Sequence, residues 1–383
     1  MIPTRAAARA TAGLPSSTLA ISSFALAQSP PINKVIFRSE PKSVEPSPPS
    51  TLLDRRSISM SAFSDPSFDF RRYFEARPRH SSEIYSRVLQ YHQGAHGTLL
   101  DLGCGPGISF FPLAGHFERS IGTDPSQGML DQGPAAWEQY KSSNPSQASS
   151  LSSAKVQFVQ SSAEDLGMLP DQSVDLITAA TAAHWFAYPQ IWKELGRVLK
   201  PNGTVAFWTY GTNYLPQHPD LWPMMKEFMS SYADFLGPYW PQPGRRLLEN
   251  LYVDIPFPED ESVWDTSSAE RRMHSLSAPG VPQIRSPELD FSMSQPMSFS
   301  SLNSYFHTSS ASSRYKAQHP SSSVAGQDEA AAADMIDLHV QKLREAVLRQ
   351  RAQGMGTQEG LDDDHVRVAW PLGLMMIRKL KQS

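Results

Sequence analysis

The segment from Thr98 to Gly107 constrains the possible folds of this chain more than any other stretch. A short apolar run typical of a buried strand is followed by glycines at alternate positions, 103, 105 and 107. The apolar spacing from Ile108 to Phe117 then predicts a helix. Glycines leave the backbone open to a ligand, and a helix start offers unpaired N–H groups. Strand, turn and helix together therefore predict a pocket for a nucleotide-like ligand.

Asp101 makes this loop different from a dinucleotide fingerprint, in which glycines follow the pattern G-x-G-x-x-G. A carboxylate before the first glycine would repel a pyrophosphate, but it can pair with an ammonium group. A nucleoside that carries an amino acid fits better, and S-adenosylmethionine is such a molecule. We therefore expect S-adenosylmethionine as the cofactor. A dinucleotide oxidoreductase and an ordinary tight turn remain as alternatives.

A second carboxylate, Asp124, ends the next predicted strand, Arg119 to Asp124. It lies 21 residues after Gly103, close to the spacing of acids that bind ribose hydroxyls. The same residues could instead cap the helix that follows. We favour the ribose role because the loop and the strand-end acid occur together.

The chain up to Gly211 alternates strand and helix patterns, which predicts an α/β fold with a doubly wound, Rossmann-like parallel sheet. Further strands are expected at Val156–Gln160, Val174–Ala180 and Thr204–Trp208, and helices at Pro125–Lys141, broken at Gly133-Pro134, and Tyr188–Lys200. In the second half the patterns predict helices at Leu221–Phe235, Ser300–His307 and Ala330–Arg349, with strands at Leu289–Phe299 and His365–Ile377.

We divide the chain into four parts. Residues 1–59 are rich in Ala, Ser and Pro, and form a disordered tail, a mitochondrial transit peptide or a stretch upstream of a start at Met60. Residues 60–211 form the cofactor-binding core. A substrate cap and an irregular Ser-rich region occupy 212–335, and the helix and closing strand of the core occupy 336–383.

The composition of the chain limits the kinds of ligand and partner that it can bind. The chain of 383 residues has a net charge of −4, so no broad basic surface supports nucleic-acid binding. Cys104 is the single cysteine, and the histidines lack metal-ligand spacing, so we predict no disulfide and no metal. No apolar run approaches the length of a membrane span. We expect a soluble cytoplasmic monomer, or a mitochondrial protein if the first 59 residues act as a transit peptide.

The order of these motifs resembles class I S-adenosylmethionine-dependent methyltransferases, and more narrowly the fungal trans-aconitate methyltransferases. The narrower resemblance is carried by Arg77-Pro78, by His184-Trp185-Phe186 and by the loop from Gly237 to Arg245. It implies a seven-stranded sheet whose last strand is antiparallel and inserted next to the fifth. It also implies a substrate cap made of helices and an aromatic loop.

The resemblance also assigns cofactor contacts. Asp101, Gly103 and Gly105 would hold the methionyl part, and Asp124 the ribose. Ser162, Ala163 and Glu164 would surround the adenine, and Thr178 would line the methyl-transfer side. In two places this chain departs from its relatives: Ser162 stands where many carry an acid, and Ser309 where many carry an aromatic residue.

The predicted reaction is methyl-ester formation on a small carboxylic acid, for which fixed cations are needed. Arg77 and Arg245 are the candidates, with Arg246 weaker. Tyr73, His184, Tyr239 and Trp240 would shape the pocket and exclude water. These residues could instead have purely structural roles. His184 would then be a packed residue at the end of a strand, Trp240 would brace its loop, and Arg245 would pair with an acid. A methyltransferase for another metabolite and a cofactor-binding protein without turnover also remain open.

Overall fold

The computed structural model describes residues 63, 68–230, 235–274, 293–319, 334–355 and 360–381. Its strands are β1 (Thr98–Leu102), β2 (Arg119–Asp124), β3 (Lys155–Gln160), β4 (Val174–Ala180), β5 (Leu199–Tyr210), β6 (Trp264–His274), β7 (Met293–Ser298), β8 (His365–Trp370) and β9 (Leu372–Lys379). Seven of them form one sheet in the order β3-β2-β1-β4-β5-β9-β6, while β7 and β8 form a second sheet of two strands. Strands β1 to β5 run parallel, and β9 is antiparallel to both of its neighbours.

The helices connect these strands and cover the sheet. They are α1 (Phe70–Ala76), α2 (Ser82–Tyr91), α3 (Phe111–Ala114), α4 (Gln127–Ser143), α5 (Ala148–Ser153), α6 (Ile191–Val198), α7 (Trp222–Ser230), α8 (Gly244–Glu249), α9 (Phe299–His307), α10 (Ser310–Gln318) and α11 (Met335–Ala352). Short 3-10 turns lie at 145–147, 183–185, 219–221 and 237–239.

Two apolar clusters show that both faces of the sheet are buried. In β5, Ala206 and Trp208 belong to one cluster, whereas Val205 and Phe207 belong to the other. This alternation follows from the two-residue repeat of a strand, whose successive side chains point to opposite faces. Helices α2 and α11 contribute to the first cluster and α6 to the second. The predicted doubly wound sheet is therefore confirmed, as is the inserted antiparallel strand next to β5.

The helix after the glycine loop is shorter than predicted. The spacing indicated Ile108 to Phe117, but α3 covers only Phe111–Ala114. Gly107 has φ +95°, and hydrogen-bonded turns occupy the residues on either side of α3. Since β2 begins at Arg119, the chain must turn back soon after α3. A single helical turn has a weak macrodipole, so the helix start contributes less to ligand binding than the sequence suggested.

The predicted break at Gly133-Pro134 is wrong, because α4 runs without interruption and contains Pro134. A proline inside a helix removes one backbone hydrogen bond. Packing offsets that loss here: a Cβ added to Gly133 would lie 2.5 Å from the ring of Phe158, so helix and strand β3 approach very closely.

The second half follows the predictions with shifted ends. Helices α7, α9 and α11 lie within a few residues of their predicted positions. The single closing strand predicted from His365 is instead two strands, β8 and β9, separated at Pro371. Strand β6 lies in a region that the sequence predicts to be irregular and Ser-rich. The prediction for residues 1–59 lies outside the described residues.

The described part of the chain contains neither a membrane-spanning helix nor a metal-binding cluster. None of its helices is both long and apolar enough to cross a membrane. No group of three or more His, Cys, Asp and Glu side chains in this part could hold a metal ion.

Candidate cofactor and substrate site

The glycine loop follows β1, at the carboxyl edge of the parallel strands. Gly103 and Gly105 have φ +64° and +54°, which side chains rarely tolerate. A Cβ at Gly103 would lie 2.6 Å from the Cβ of Ala182, so this glycine permits close packing against the segment after β4. A Cβ at Gly105 would meet no atom within 4 Å. The backbone at Gly105 is therefore open to a ligand.

Asp101 lies in β1 and is almost fully buried, with 1% of its surface exposed. Its Oδ1 accepts a hydrogen bond of 2.5 Å from the Thr178 hydroxyl. Burial raises the pKa of Asp101 to about 7, against the opposing effect of the bond from Thr178. Because this bond occupies the Thr178 hydroxyl, Thr178 positions Asp101. Its predicted place on the methyl-transfer side remains a prediction.

Asp124 connects the end of β2 to the glycine loop. Its Oδ2 accepts from the Gly105 N–H at 3.0 Å, and its Oδ1 accepts from the Ser126 N–H at 2.8 Å. Burial raises the pKa of Asp124 to about 6, although both N–H groups act to lower it. The cap of α4 is Ser126, whose hydroxyl accepts from the Met129 N–H. The sequence alternative of a helix cap is thus realised by Ser126, and the ribose role of Asp124 remains a prediction.

The segment after β3 was expected to surround an adenine. Ala163 is buried with 8% exposure. Glu164 accepts a hydrogen bond from the Ala187 N–H at 2.9 Å, and so holds the connection between β4 and α6. The Ser162 hydroxyl has no partner within the described ranges, which leaves it available for a ligand.

A cavity of about 90 Å³ lies beside this edge of the sheet. Five of the six substrate-side candidates line it: Tyr73, Arg77, His184, Trp240 and Arg245. Tyr239 does not line it, because its ring packs against Tyr315 at a centroid distance of 5.4 Å. The cavity has room for several water molecules, at roughly 10–15 Å³ for each.

Arg77 directly follows α1, and its side chain lines the cavity. Its guanidinium lies 4.8 Å from the ring centre of Tyr73 and 5.6 Å from that of Tyr305. Its Nη1 donates to the Tyr210 hydroxyl at 3.1 Å, and its Nη2 donates to the Thr308 carbonyl at 2.8 Å. No described carboxylate pairs with Arg77, and its buried Nε has no acceptor. The cavity therefore contains a positive charge without a described counter-charge.

Arg245 differs, because its charge is balanced. Its Nε pairs with Glu249 at 2.8 Å, and its Nη2 donates to the Thr212 hydroxyl at 2.7 Å. The ion-pair alternative raised from the sequence is thus what the structure shows. The guanidinium lies 4.1 Å from the ring centre of Trp240, whose indole N–H donates to the Met229 carbonyl at 2.6 Å. Trp240 therefore both lines the cavity and braces its own loop.

His184 is buried at the cavity wall, with 8% exposure. Its Nδ1 lies 3.3 Å from the Tyr252 hydroxyl. Burial lowers the pKa of His184 to about 3, and the charges of Arg245 and Arg77 act in the same direction. The imidazole is neutral near pH 7, so His184 shapes the wall and offers a weak base at most.

Sequence reasoning missed several lining residues. Thr181 follows β4, has φ +53° and carries a buried hydroxyl without a described partner. Tyr210 ends β5, and Ser310 begins α10. The first two lie at the carboxyl ends of parallel strands, where α/β proteins bind ligands, and that position was a usable signal. Ser310 comes from a region with no strong pattern. Tyr305 and Ser309 also line the cavity, in the segment where this chain departs from its relatives.

The strand order, the inserted antiparallel strand and the glycine loop define a class I methyltransferase fold. Residues 100–207 match the family model described as a methyltransferase domain. Over 185 residues the chain is 31% identical to a candidate methyltransferase of Dictyostelium discoideum, a match that covers 48% of this chain and 62% of that protein. It is 28% identical over 174 residues to a malonyl-acyl-carrier-protein O-methyltransferase of Legionella pneumophila, with coverages of 44% and 55%.

A solved structure supports the same fold. A candidate type II methyltransferase from Anaeromyxobacter dehalogenans aligns with a TM-score of 0.50 and 23% identity, over 80% of this chain and 99% of the other. The chain spans less than two thirds of the length of the curated relatives named above. Residues 100–207 are thus similar to a methyltransferase domain, and the sheet has the fold of class I methyltransferases.

Proposed function

We propose that this protein methylates a carboxylate of a small organic acid, trans-aconitate being one example, and releases a methyl ester. The observation that carries the proposal is Arg77, a guanidinium in a cavity whose described lining contains no acid. A buried charge without a partner is costly, so the bound ligand is expected to bring the opposite charge. Arginine forks suit carboxylates because both groups are planar and form two parallel hydrogen bonds.

The cofactor fits the residues present. Asp101, held by Thr178, would supply a carboxylate for its ammonium group, and the open backbone at Gly105 would leave room for its methionyl part. Asp124 and Ser162 would hold the ribose and the adenine. When bound, S-adenosylmethionine supplies a methyl group on a positively charged sulfur.

The chain's own contribution to the reaction is positioning and exclusion of water. A carboxylate is already a nucleophile, so no residue has to remove a proton. One of its oxygens forms the new bond to the methyl carbon as the carbon–sulfur bond breaks, and the electron pair stays on sulfur. Aromatic walls at Tyr73, Trp185 and Trp240 keep water away from the acid. Fixed orientation is worth roughly 7–11 kcal/mol at best.

A relative lends further support. The Legionella pneumophila protein is an O-methyltransferase of a malonyl group, and a malonyl group ends in a carboxylate. That substrate belongs to the relative, and we extend only its chemical class to this chain.

The test is incubation of the full chain with labelled S-adenosylmethionine and a panel of mono-, di- and tricarboxylic acids that includes trans-aconitate. We expect a labelled methyl ester from at least one acid, and a loss of about 100-fold in kcat/KM in Arg77→Gln. S-adenosylhomocysteine should bind, and NAD should not. No ester from any acid, with intact binding of S-adenosylhomocysteine, would contradict the proposal and favour another acceptor or an inactive protein.

A further inference from the structure

Helix α10 begins at the cavity with backbone donors that have no partner. Ser309 is its N-cap, in an extended conformation (φ −77°, ψ 148°), and its hydroxyl accepts from the Ser312 N–H. The N–H groups of Ser310 and Ala311 have no acceptor within the described residues. Both residues are buried, with 5% and 0% exposure. Buried N–H groups are nearly always paired, so this helix start needs an acceptor.

The Ser310 side chain gives a second and independent indication. Ser310 lines the cavity, and its hydroxyl has no hydrogen-bond partner in the described part of the chain. A hydroxyl that is largely withdrawn from water and faces a cavity can donate to a bound acid. The backbone and the side chain of Ser310 thus offer donors to the same space.

Arg77 joins this helix start directly. Its Nη2 donates to the carbonyl of Thr308, two residues before the first residue of α10. A guanidinium has five N–H bonds. Tyr210 and Thr308 take one each, so three N–H bonds have no acceptor among the described residues. The positive end of α10 and the guanidinium of Arg77 therefore both favour the binding of an anion at this place.

We propose that Arg77 and the first turn of α10 form an anchor site for a carboxylate that does not react. A carboxylate held by a guanidinium and helix N–H groups has its charge stabilised, which makes its oxygens poor nucleophiles. The carboxylate that takes the methyl group must then be a second one. The substrate is accordingly a dicarboxylic or tricarboxylic acid, and this inference rests on the proposed function.

The anchor also predicts the product. One oxygen of the reacting carboxylate bonds to the methyl carbon, the carbon–sulfur bond breaks, and no proton moves. A dicarboxylic acid then becomes a monoester that keeps one free carboxylate. The anchor requires this remaining free carboxylate. In a second methylation the same carboxylate would have to react, and the molecule would have no other carboxylate for the anchor to bind. We therefore expect the monoester to accumulate.

The test uses the full chain loaded with S-adenosylhomocysteine, and calorimetric titration with glutarate and with its monoamide, glutaramate. Ser310→Pro removes both the N–H and the hydroxyl of Ser310. Proline is well tolerated at the first helical position, and the extended Ser309 is compatible with a following proline. Ser310→Ala removes the hydroxyl alone, and Arg77→Gln removes the charge.

In the wild type we expect glutarate to bind at least about tenfold more tightly than glutaramate. Ser310→Pro should weaken glutarate binding by about tenfold, Ser310→Ala by less, and Arg77→Gln by more, with unchanged affinity for S-adenosylhomocysteine. With labelled cofactor, glutarate should give the monoester alone.

The outcomes separate the two proposals. Suppose that the wild type binds or methylates glutarate but Ser310→Pro does so equally well, or that monoamides are methylated as fast as diacids. The anchor is then refuted while carboxylate methylation stands. If the loaded wild type binds no carboxylic acid and forms no ester, the proposed function fails and the anchor fails with it.

Discussion

Thr181 holds a left-handed backbone conformation, φ +53°, that a β-branched residue rarely adopts. Its N–H donates to the Trp208 carbonyl at 2.7 Å, which ties the strained residue to the end of β5. Its hydroxyl is buried, lines the cavity and has no described partner. Strain of this kind persists where surrounding contacts over-determine it, commonly at sites of function.

We predict that Thr181→Gly is more stable than Thr181→Ala by about 1 kcal/mol in its free energy of unfolding. Both variants lose the hydroxyl and the methyl group, but only glycine relieves the positive φ. Urea unfolding of the two variants measures the difference. Equal stability would mean that the backbone at residue 181 is not strained.

A second prediction at this scale concerns Asp101 and pH. Burial raises the pKa of Asp101 to about 7, and in the proposed role only its ionised form could pair with the ammonium group of the cofactor. Protonation competes with binding as the pH falls through 7. We expect the dissociation constant of S-adenosylhomocysteine to rise roughly tenfold between pH 8 and pH 6.

Asp101→Asn provides the control, because it keeps an acceptor for Thr178 but carries no charge. Its binding should be weak and nearly independent of pH between 6 and 8. Rising pH has the opposite effect on stability: it strengthens cofactor binding but lowers the free energy of unfolding of the unliganded protein. The folded-state pKa lies above the unfolded value of 3.8, so the ionised carboxylate destabilises the unliganded protein as the pH rises through 7. A pH-independent wild-type affinity would contradict this assignment.

Among the elements, α4 shows how packing overrides propensity. Pro134 is exposed inside a continuous helix, where it leaves one carbonyl without its helical donor. The helix persists because neighbouring residues such as Leu130 and Trp137 are buried in the core. The sequence predicts a break here because the proline is visible in it, whereas the core contacts that hold the helix together are not.

We predict that Pro134→Ala raises the free energy of unfolding by about 1–2 kcal/mol, because it restores the missing hydrogen bond. Gly133→Ala should have the opposite effect, since its new Cβ would lie 2.5 Å from the ring of Phe158. Urea unfolding of both variants tests the pair. A destabilised Pro134→Ala would show that the proline fits α4 better than alanine does.

For the whole molecule, the sheet is assembled from distant parts of the chain. Strand β5 ends at Tyr210, and its antiparallel neighbour β9 begins at Leu372. Three further strands lie between them in sequence, and β6 pairs with the other edge of β9. The proposed cofactor-binding core at 60–211 thus depends on residues near the end of the chain.

We predict that a fragment of residues 60–211 does not fold. Without β9, the backbone of β5 loses its partners from Thr204 to Tyr210, and apolar side chains on both faces become exposed. Circular dichroism and binding of S-adenosylhomocysteine, compared with the full chain, test this. A folded fragment that binds the cofactor would show that the five parallel strands suffice.

Much of the core was predictable because its signals are local. Asp101 and the glycines up to Gly107 lie within one strand and one turn, and Asp124 ends the next strand. The nearly continuous apolar runs of strands such as β1 and β4 reflect burial on both faces of the sheet. The class of fold and the expected cofactor followed from these stretches.

The cavity was decided by the tertiary structure. Arg77 follows α1, Tyr210 ends β5 and Ser310 begins α10, and no local pattern brings these three together. Arg245 pairs with a local acid, Glu249, four residues later on α8, whereas the hydrogen-bond partners of Arg77, Tyr210 and Thr308, are distant in sequence. The sequence by itself determined the cofactor loop, because that loop is built from adjacent residues. Only the tertiary structure decided which charge remains for the substrate, because long-range packing selects the partners of Arg77.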